Sequence, residues 1–331
     1  MRREHADLLR CPGCGGSLSV EGDSAADGHV VAGRLLCRRC RGSYPICEGV
    51  PRFVPSSNYA HGFGVQWKRH AWTQYDACTG RPLSEKRFFD ETGWPRTLVG
   101  ERILEVGSGG GRFSVHAAGT GAVVASLDYS EAVDANFAIN RHIQNLLIIQ
   151  ADVYRMPFAT AFFDRASCFG VLQHTPDPHG AFLSIVPKVR AGGKVVADIY
   201  VDSLLKHWLS TKYWVRPVTK RMQPERLHRL TSAWVDLMWP IASLVRRVPR
   251  VGPQLNWRLL VPDYSREGLR GADLKRWALL DAFDMLSPTY DKPATEGAFR
   301  QWFLQASLVD VDVRRGYNGV QGRGAIPLGV G

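Results

Sequence analysis

The sequence predicts an α/β fold: a doubly wound, mostly parallel sheet, with a small metal-binding module before it and a helical insertion near its end. Three observations support this prediction. Five short apolar runs alternate with helical stretches between residues 103 and 199. A glycine-rich bend follows the first run, and two closely spaced cysteine pairs precede it. A chain of 331 residues can bury a full core beside a second small module.

The first apolar run, Ile103–Val106, has the character of a buried parallel strand. Glycines at alternate positions then allow the backbone to turn sharply and to approach a ligand: Gly107, Gly109 and Gly111. We expect a helix over residues 113–118, with its first amides facing that ligand. Other nucleotide-binding loops fit poorly. The dinucleotide fingerprint needs a small residue where this chain has Arg112, and the Gly-Lys-Ser/Thr of phosphate-binding loops is absent from the sequence.

Four later apolar runs complete the parallel part of the predicted sheet. They cover residues 123–128, 146–151, 162–169 and 194–199, the last of them after a predicted turn at 191–193. Asp128 stands where a ribose-binding carboxylate is expected downstream of a glycine-rich loop, and its two oxygens suit two neighbouring hydroxyl groups. Asp152 follows the third run, where an acid can accept a hydrogen bond from an adenine amino group.

The motif Glu105-x-Gly107-x-Gly109-x-Gly111 resembles the first motif of class I S-adenosylmethionine-dependent methyltransferases. Further segments resemble a bacterial methyltransferase family that has an N-terminal zinc ribbon and is associated with sugar, polysaccharide or secondary-metabolite biosynthesis: Tyr44–Ile46, Gly49–Phe53, Phe63–Trp67, Gly170–Pro178 and Asp284–Asp291. The resemblance implies a Rossmann-like seven-stranded methyltransferase sheet. A helix over 296–306 and strands over 309–313 and 319–322 would close it with an antiparallel pair. Gln173 departs from the family, which tends to have a histidine there, before His174.

The resemblance also implies a site for S-adenosylmethionine. Glu105 and the loop that contains Ser108 would hold the methionine part, Asp128 the ribose and Asp152 the adenine. The full predicted cofactor set is Gln66, Trp67, Glu105, Gly107, Ser108, Gly109, Gly111, Asp128, Tyr129, Asp152, Val153 and Phe169. For Trp67, packing on the sheet is an equally good interpretation.

His174 is the first candidate for a general base, because it follows the fourth strand at the ligand-binding edge of the sheet and imidazole titrates near neutrality. Alternatively, Thr175 caps the next helix and His174 satisfies a loop hydrogen bond. Asp198 and Tyr200 end the fifth strand, and we expect one of them to face the acceptor. Two more candidate bases, Asp284 and Tyr290, are expected in a loop that returns over the active site.

Four cysteines form two C-x2-C pairs with a ribbon-length spacer: Cys11, Cys14, Cys37 and Cys40. This spacing predicts a zinc ion held by four sulfurs, which is a closed, structural type of site. Two disulfides suit a cytosolic chain poorly. Residues 1–55 are too few to bury an adequate core, so the metal would supply folding energy to this module. The module resembles the zinc-ribbon protein that activates several methyltransferases, and we expect it to stabilise and pack on the catalytic domain.

Residues 203–280 predict a helical lid over the substrate, inserted into a core of residues 56–202 and 281–331. The formal net charge is +11, and thirteen Lys and Arg face four acids between Ser203 and Arg270. Such a lid suits a phosphate-bearing or lipid-linked acceptor. Leu237–Val248 is apolar enough for peripheral contact with a membrane, although we expect Pro240 to interrupt its helix. The N-terminus shows no secretory pattern and no apolar run spans a bilayer, so we expect a cytoplasmic protein.

The leading functional hypothesis is O-methylation of a small-molecule acceptor such as a sugar, a glycan precursor or a secondary metabolite, with S-adenosylmethionine and structural zinc as cofactors. No carboxylate cluster in the sequence suggests a catalytic magnesium. The first rival is an RNA methyltransferase, favoured by the zinc ribbon and the positive charge. The chain lacks the Asn/Asp-Pro-Pro-Tyr/Phe motif of amino-directed enzymes, so nucleic acid is the weaker partner hypothesis. The second rival is a non-catalytic scaffold that keeps the cofactor fold.

Overall fold

The computed structural model describes residues 1–55, 58–202 and 210–328. Within these ranges the N-terminal module is an antiparallel sheet in which neighbouring strands follow chain order. Its strands are β1 (Leu18–Glu21), β2 (Gly33–Cys37), β3 (Ser43–Cys47) and β4 (Val50–Pro51). The chain leaves β4 directly for the edge of the second, larger sheet.

The larger sheet has seven strands in the described residues, in the order β10-β11-β9-β8-β5-β6-β7. The strands are β5 (Arg102–Val106), β6 (Val123–Asp128), β7 (Leu146–Gln150), β8 (Phe163–Cys168), β9 (Val189–Ile199), β10 (Val309–Gly316) and β11 (Gly319–Ala325). Strands β5 to β9 pair in parallel, whereas β10 and β11 are antiparallel. This confirms the predicted seven-stranded sheet. Each of the five parallel strands has a run of at least three consecutive buried residues, as expected of a sheet that is covered on both faces.

Helices flank the sheet and build the insertion. Their bounds are α1 (His61–His70), α2 (Asp76–Thr79), α3 (Leu83–Thr92), α4 (Ser114–Gly119), α5 (Ala132–Asn140), α6 (Pro178–Ile185), α7 (Thr211–Thr219), α8 (Pro224–Val245), α9 (Gly252–Arg258), α10 (Gly271–Leu286) and α11 (Glu296–Gln305). Short 3-10 helices cover Arg3–Leu8, Val153–Arg155, Leu172–His174, Val186–Lys188 and Ser265–Glu267. No helix in the described parts of the chain combines the length and the apolar character that crossing a bilayer requires.

The turn predicted at residues 191–193 is wrong, because these residues lie inside β9. Gly192 has φ +74°, and the pairing of β8 with β9 shifts register in this region. Ile326 accepts a hydrogen bond from the Gly192 amide and donates one to the Gly193 carbonyl. The two glycines therefore interrupt the regular pairing of β9 with β8, while their own backbone groups are hydrogen-bonded to Ile326.

The predicted interruption at Pro240 is also wrong, because α8 continues through it to Val245. The buried face of the helix supports it: Leu227 packs with Phe283 of α10, and Ala242 packs with Ala278 of the same helix.

Two features bear on the predicted lid. Its first seven residues, including Trp208, lie outside the described residues, and its predicted end at residue 280 falls inside α10.

Four cysteine sulfurs of the N-terminal module lie within 4.8 Å of one another. Cys11 and Cys40 approach to 3.6 Å and Cys14 and Cys37 to 3.5 Å. Four sulfurs around a zinc ion at Zn–S bonds of about 2.3 Å would be roughly 3.8 Å apart, so the cluster fits a tetrahedral zinc site. The amides of Arg39 and Cys40 both point at the Cys37 sulfur, at 3.4 Å, which suits a thiolate.

The module packs on β7, the edge strand of the larger sheet. The Phe53 amide donates to the Gln150 carbonyl at 2.8 Å, and Arg52 Nη1 donates to the Gln150 side chain at 3.1 Å. Arg52 also forms an ion pair with Asp134 of α5. Leu9, Leu35 and Ile46 of the module belong to the same buried cluster as the sheet core. The module and the sheet therefore share one hydrophobic core.

We predict that zinc removal destabilises the whole protein, because the module core is continuous with the sheet core. A strong chelator, or Cys11→Ser with Cys14→Ser, should lower the thermal transition by more than about 5 °C. Differential scanning calorimetry with metal analysis measures this. Cys78→Ser is the matched control, since Cys78 is exposed and outside the cluster. A zinc-free protein with an unchanged transition would contradict the structural role.

A second prediction concerns the buried histidine pair between α1 and α8. His70 Nε2 and His228 Nε2 are 2.8 Å apart, burial lowers the pKa of both, and that of His70 falls to about 4. The unfolded state therefore binds more protons between pH 6.5 and 4, and the free energy of unfolding should fall by roughly 2 kcal/mol across this window.

Urea unfolding at several pH values tests this prediction. The double variant His70→Gln, His228→Gln cannot titrate and should have a flatter dependence on pH than the parent protein. Equal slopes for the two proteins would show that other groups cause the acid destabilisation.

Candidate active site

A cavity of about 1120 Å³ opens at the carboxyl ends of the parallel strands, where open α/β sheets bind their ligands. Loops after β5, β6, β7 and β8 form one side of it, and α1 and α10 form another. Twelve of the residues predicted from the sequence line it: Gln66, Trp67, Gly107, Ser108, Gly109, Asp128, Tyr129, Val153, Phe169, His174, Tyr200 and Asp284. Of the described residues 1–55, none lines the cavity.

The glycine loop after β5 has the predicted sharp bend. Gly107 has φ +80°, and a Cβ there would lie 1.9 Å from Val171. Gly109 has φ +52°, and a Cβ there would lie 2.9 Å from the Trp67 indole. Both positions therefore require glycine. Gly111 does not line the cavity. A Cβ at this position would lie 2.2 Å from Asn136 Oδ1, so this glycine allows the loop to pack on α5.

Asp128 is fixed at the end of β6. Its Oδ2 accepts from the Gly109 amide at 2.8 Å, and its Oδ1 accepts from the amide and the hydroxyl of Ser130 at 2.8 and 2.7 Å. Burial raises the pKa of Asp128, while these hydrogen bonds oppose the rise. A carboxylate oxygen can accept more than one hydrogen bond, so Asp128 retains capacity for ligand hydroxyl groups.

The other two predicted acids of the cofactor set do not line the cavity. Glu105 is only 4% exposed and accepts from the Ser114 hydroxyl at 2.5 Å, so it fixes the start of α4 behind the loop. The predicted contact of Glu105 with the methionine part is therefore not supported. Asp152 accepts from the Tyr154 amide at 3.0 Å and caps a 3-10 turn beside the cavity. These placements depend on Ser114 and Tyr154, two partners that the strand pattern did not suggest.

Gln66 and Trp67 of α1 cover the loop from above. Gln66 Nε2 donates to Asp284 Oδ1 at 3.1 Å, whereas Gln66 Oε1 is buried without a hydrogen-bond partner in the described residues. Such an unsatisfied acceptor costs free energy unless a ligand donates to it. The ammonium group of S-adenosylmethionine is a donor of that kind, and the cavity beside Gly107 and Gly109 accommodates close approach. The described residues thus fit this cofactor.

His174 occupies the same cavity as the glycine loop and is 6% exposed. Its Nδ1 lies 3.0 Å from the Tyr290 carbonyl oxygen, which can only accept, so Nδ1 carries the proton and Nε2 the lone pair. Burial lowers the pKa of His174, although Asp284 acts in the opposite direction. The ring is therefore neutral near pH 7. The next helix begins at Pro178, after Asp177, so Thr175 does not cap it.

Of the other predicted bases, Tyr200 and Asp284 line the cavity, whereas Asp198 and Tyr290 do not. Tyr200 donates to Asp284 Oδ2 at 3.3 Å, and both line the cavity near His174. Asp284 lies in α10 and not in the expected loop. Asp198 does not line the cavity. It is fully buried between Arg87 Nη2, at 2.7 Å, and the Gly170 amide, at 2.5 Å, and burial followed by Glu91 raises its pKa to about 7.

Asp198 and Tyr290 are thus corrections to the predicted set of bases. The strand ends at Ile199, so Tyr200 is free to turn toward the cavity while Asp198 stays in the sheet. Tyr290 contributes its backbone carbonyl to His174, and its ring packs on Tyr59 at 5.2 Å and does not line the cavity.

Arg112 is a cavity residue that the prediction missed. It forms no hydrogen bond or ion pair with a described residue, and its guanidinium lies 4.3 Å from the Phe113 ring centre. Burial and then the charge of Arg87 lower the pKa of Arg112 to about 10. The nearby acid Asp281 is bonded to Tyr264, and burial raises its pKa to about 7. The sequence feature that could have identified Arg112 is its position directly after the glycine loop.

Comparison with known proteins agrees with this site. Residues 104–197 match the family model of a methyltransferase domain, and residues 2–49 match that of Trm112p-like proteins. Ubiquinone biosynthesis O-methyltransferase of Coxiella burnetii is 34% identical over 108 residues, which are 30% of this chain and 43% of that protein. The chain thus spans less than half the length of this curated relative. An uncharacterized chloroplastic methyltransferase of Arabidopsis thaliana is 25% identical over 60% of this chain and 63% of its own.

Among the solved structures similar to the chain, one is the complex between the Trm112 methyltransferase activator of Haloferax volcanii and a methyltransferase, and another is the S-adenosylmethionine-dependent methyltransferase SibL. The first is 12% identical, with a TM-score of 0.42, and the match covers 81% of this chain and 96% of that one. The second is 14% identical, with a TM-score of 0.42, and the match covers 78% and 57%. The sequence matches, with the glycine loop and the four-cysteine cluster that lie within them, show a methyltransferase domain at residues 104–197 and a Trm112p-like domain with a zinc-ribbon cysteine cluster at residues 2–49.

Proposed function

We propose that the protein methylates a hydroxyl group of a small-molecule acceptor and that His174 removes the proton. The observation that carries this proposal is the orientation of His174, whose Nδ1–H is held by the Tyr290 carbonyl so that Nε2 is the free base in the cavity. The name of the Coxiella burnetii relative, an O-methyltransferase, supports oxygen as the methylated atom.

The glycine-loop end of the cavity would hold the cofactor. When bound, S-adenosylmethionine supplies an electrophilic methyl group. Asp128 would accept from the ribose hydroxyls, Gln66 Oε1 would accept from the ammonium group, and Tyr129, Val153 and Phe169 would enclose the nucleoside. Asp152 lies between Ala151 and Val153, which line the cavity, and it would accept from the adenine amino group. Trp67 closes the loop against water.

In the same cavity, His174 would take the acceptor proton on Nε2. The imidazolium that forms is stabilised by the Tyr290 carbonyl and by the negative charge of Asp284. Asp284 itself is held by Gln66 and Tyr200, at 3.1 and 3.3 Å, which fixes it relative to the ring. Asp284 accepts two hydrogen bonds, so His174 is the better base of the two. The protein contribution is thus position, proton acceptance and a dry cavity.

Arg112 would bind a negative charge, either the carboxylate of the cofactor or an anionic group of the acceptor. A cation in a partly closed cavity without a described partner is costly, and a carboxylate or phosphate group offsets that cost. Trp257, Tyr264 and Trp277 line the same region and suit the flat face of a ring or a sugar. A sugar, glycan precursor or secondary metabolite with an anionic group therefore fits this region of the cavity.

RNA methylation is the second candidate, supported by the net charge of +11 and the Trm112p-like domain. Weak, non-saturating binding to bulk RNA would weigh against it, whereas tight binding with a steep salt dependence would favour it. The scaffold alternative predicts no binding of S-adenosylhomocysteine in a calorimetric titration.

We predict that His174→Gln lowers kcat/KM by about 10²–10⁴-fold on the true acceptor, with little change in cofactor affinity. In the parent protein, kcat/KM should rise with pH as His174 loses its proton. It should reach its plateau at a pH below 6.5, because burial lowers the pKa of His174 from 6.5. The variant should lose this pH dependence. His179→Gln is the matched control, since His179 stacks on Trp302 outside the cavity. Full turnover by His174→Gln would rule out the assigned base.

We predict that Arg112→Gln weakens the binding of one anion by about tenfold or more. Calorimetry with S-adenosylhomocysteine and with methylthioadenosine, which lacks the amino-acid part, identifies which anion Arg112 binds. Weaker binding of the first ligand alone assigns Arg112 to the cofactor carboxylate, whereas a raised acceptor KM with unchanged calorimetry assigns it to the acceptor. Arg96→Gln, on the surface, is the control. If neither quantity changes, Arg112 has no anion to bind.

A further inference from the structure

The long helix α8 has an apolar stripe that faces solvent. Its members recur at alternating spacings of four and three residues and include Leu230, 52% exposed, Leu237, 70%, Ile241, 49%, and Leu244, 66%. The inward face of the helix is a different one, formed by Leu227, Val235 and Ala242, which are buried. The helix is therefore apolar on two faces, and the fold covers one of them.

Neighbouring helices extend the stripe into a broad patch. On α7, Trp214 and Val218 are exposed, and Val248, Val251, Leu255 and Trp257 are exposed on and before α9. Hydrogen bonds join the three helices: Trp234 Nε1 donates to the Leu259 carbonyl at 2.9 Å, and Thr211 donates to the Arg258 carbonyl at 2.6 Å. We call these exposed residues of α7, α8 and α9 the lid patch. Large exposed apolar areas are uncommon on monomeric soluble proteins and often mark interaction sites.

Basic residues surround the lid patch. Residues 211–258 contain ten Lys and Arg but two acids, Glu225 and Asp236. Seven of the ten are exposed and form no ion pair with a described residue: Lys220, Arg221, Arg226, Arg229, Arg247, Arg250 and Arg258. The remaining three are paired with acids, Lys212 and Arg216 with Asp291 and Arg246 with Asp263. The positive charge around the patch is therefore largely unneutralised by the fold.

We propose that the lid patch docks on an anionic membrane surface. An exposed aliphatic stripe with basic flanks is the pattern of helices that lie in the headgroup region of a bilayer, where leucines enter the acyl boundary and arginines meet lipid phosphates. Two copies of this chain would bring like charges together, so the charge opposes self-association through the patch. Nucleic acid would use the arginines but leave the leucines and isoleucine exposed to water.

The docked patch lies next to the cavity, because Gln254, Trp257 and Arg258 of α9 also line it. An amphiphilic acceptor could therefore keep its apolar tail in the bilayer while its polar head enters the cavity. The docking itself does not rest on the proposed reaction, since vesicle binding is measured without any acceptor.

The test is flotation of the zinc-loaded full-length protein with vesicles of phosphatidylcholine alone or of phosphatidylcholine mixed equally with phosphatidylglycerol. We expect strong binding to the anionic vesicles that falls as salt rises. Leu237→Gln with Leu244→Gln should weaken it by about tenfold or more. Arg229→Gln with Arg247→Gln should weaken it by about fivefold for each cation removed. The matched controls on other faces are Val99→Gln with Leu304→Gln, and Arg155→Gln with Lys194→Gln.

All substituted side chains are exposed, and circular dichroism with calorimetric binding of S-adenosylhomocysteine confirms that each variant is folded. Absence of binding by the parent protein overturns the proposal, as does equal binding by patch and control variants. A parent protein that sediments as a dimer, becomes monomeric in the leucine variant and ignores vesicles would assign the patch to a second copy instead. Any of these results leaves the proposed reaction untouched, because that is judged by cofactor binding and turnover.

Discussion

The hydrogen bond from the Gly109 amide to the Asp128 carboxylate joins the bend after β5 to the end of β6, and the cavity depends on it. The bend can approach Asp128 only because Gly107 and Gly109 adopt positive φ values and leave room for Val171 and Trp67. Trp67 in turn belongs to α1, which also presents Gln66 to Asp284. A side chain at either glycine would therefore disturb the roof of the cavity as well as its floor.

The site combines two kinds of polar group. Asp128, Asp284 and His174 are each held by two or more identified partners or by a backbone carbonyl, so their orientations are set before a ligand arrives. Gln66 Oε1 and Arg112, in contrast, lack described partners. In a partly closed cavity, polar groups that already have partners set the geometry, whereas polar groups without partners indicate which ligand groups would bind there. Here they call for a donor near α1 and an anion near α3 and α10.

The sequence predicted the sheet, the carboxyl ends of its five parallel strands and the four-cysteine cluster, because each rests on a local pattern: an apolar run, a terminal acid or a cysteine spacing. It did not predict which polar side chain at a strand end faces the cavity. Glu105 and Asp128 follow the same pattern, but Ser114 binds the first and leaves it behind the loop. Asp198 also lies at a strand end, but Arg87 of α3, more than a hundred residues away in the chain, binds it inside the fold. Such pairings are decided by tertiary packing and are invisible to spacing.

The docking of the zinc module on β7 has a consequence for the physical behaviour of the protein. A parallel sheet that ends in an apolar strand presents free amides and carbonyls to any other extended chain. Here the segment after β4 occupies that position, with Arg52 and Phe53 bonded to Gln150. The metal module thus acts as a protective cover for the sheet, and a chain that emerges before its zinc arrives exposes a surface suited to aggregation.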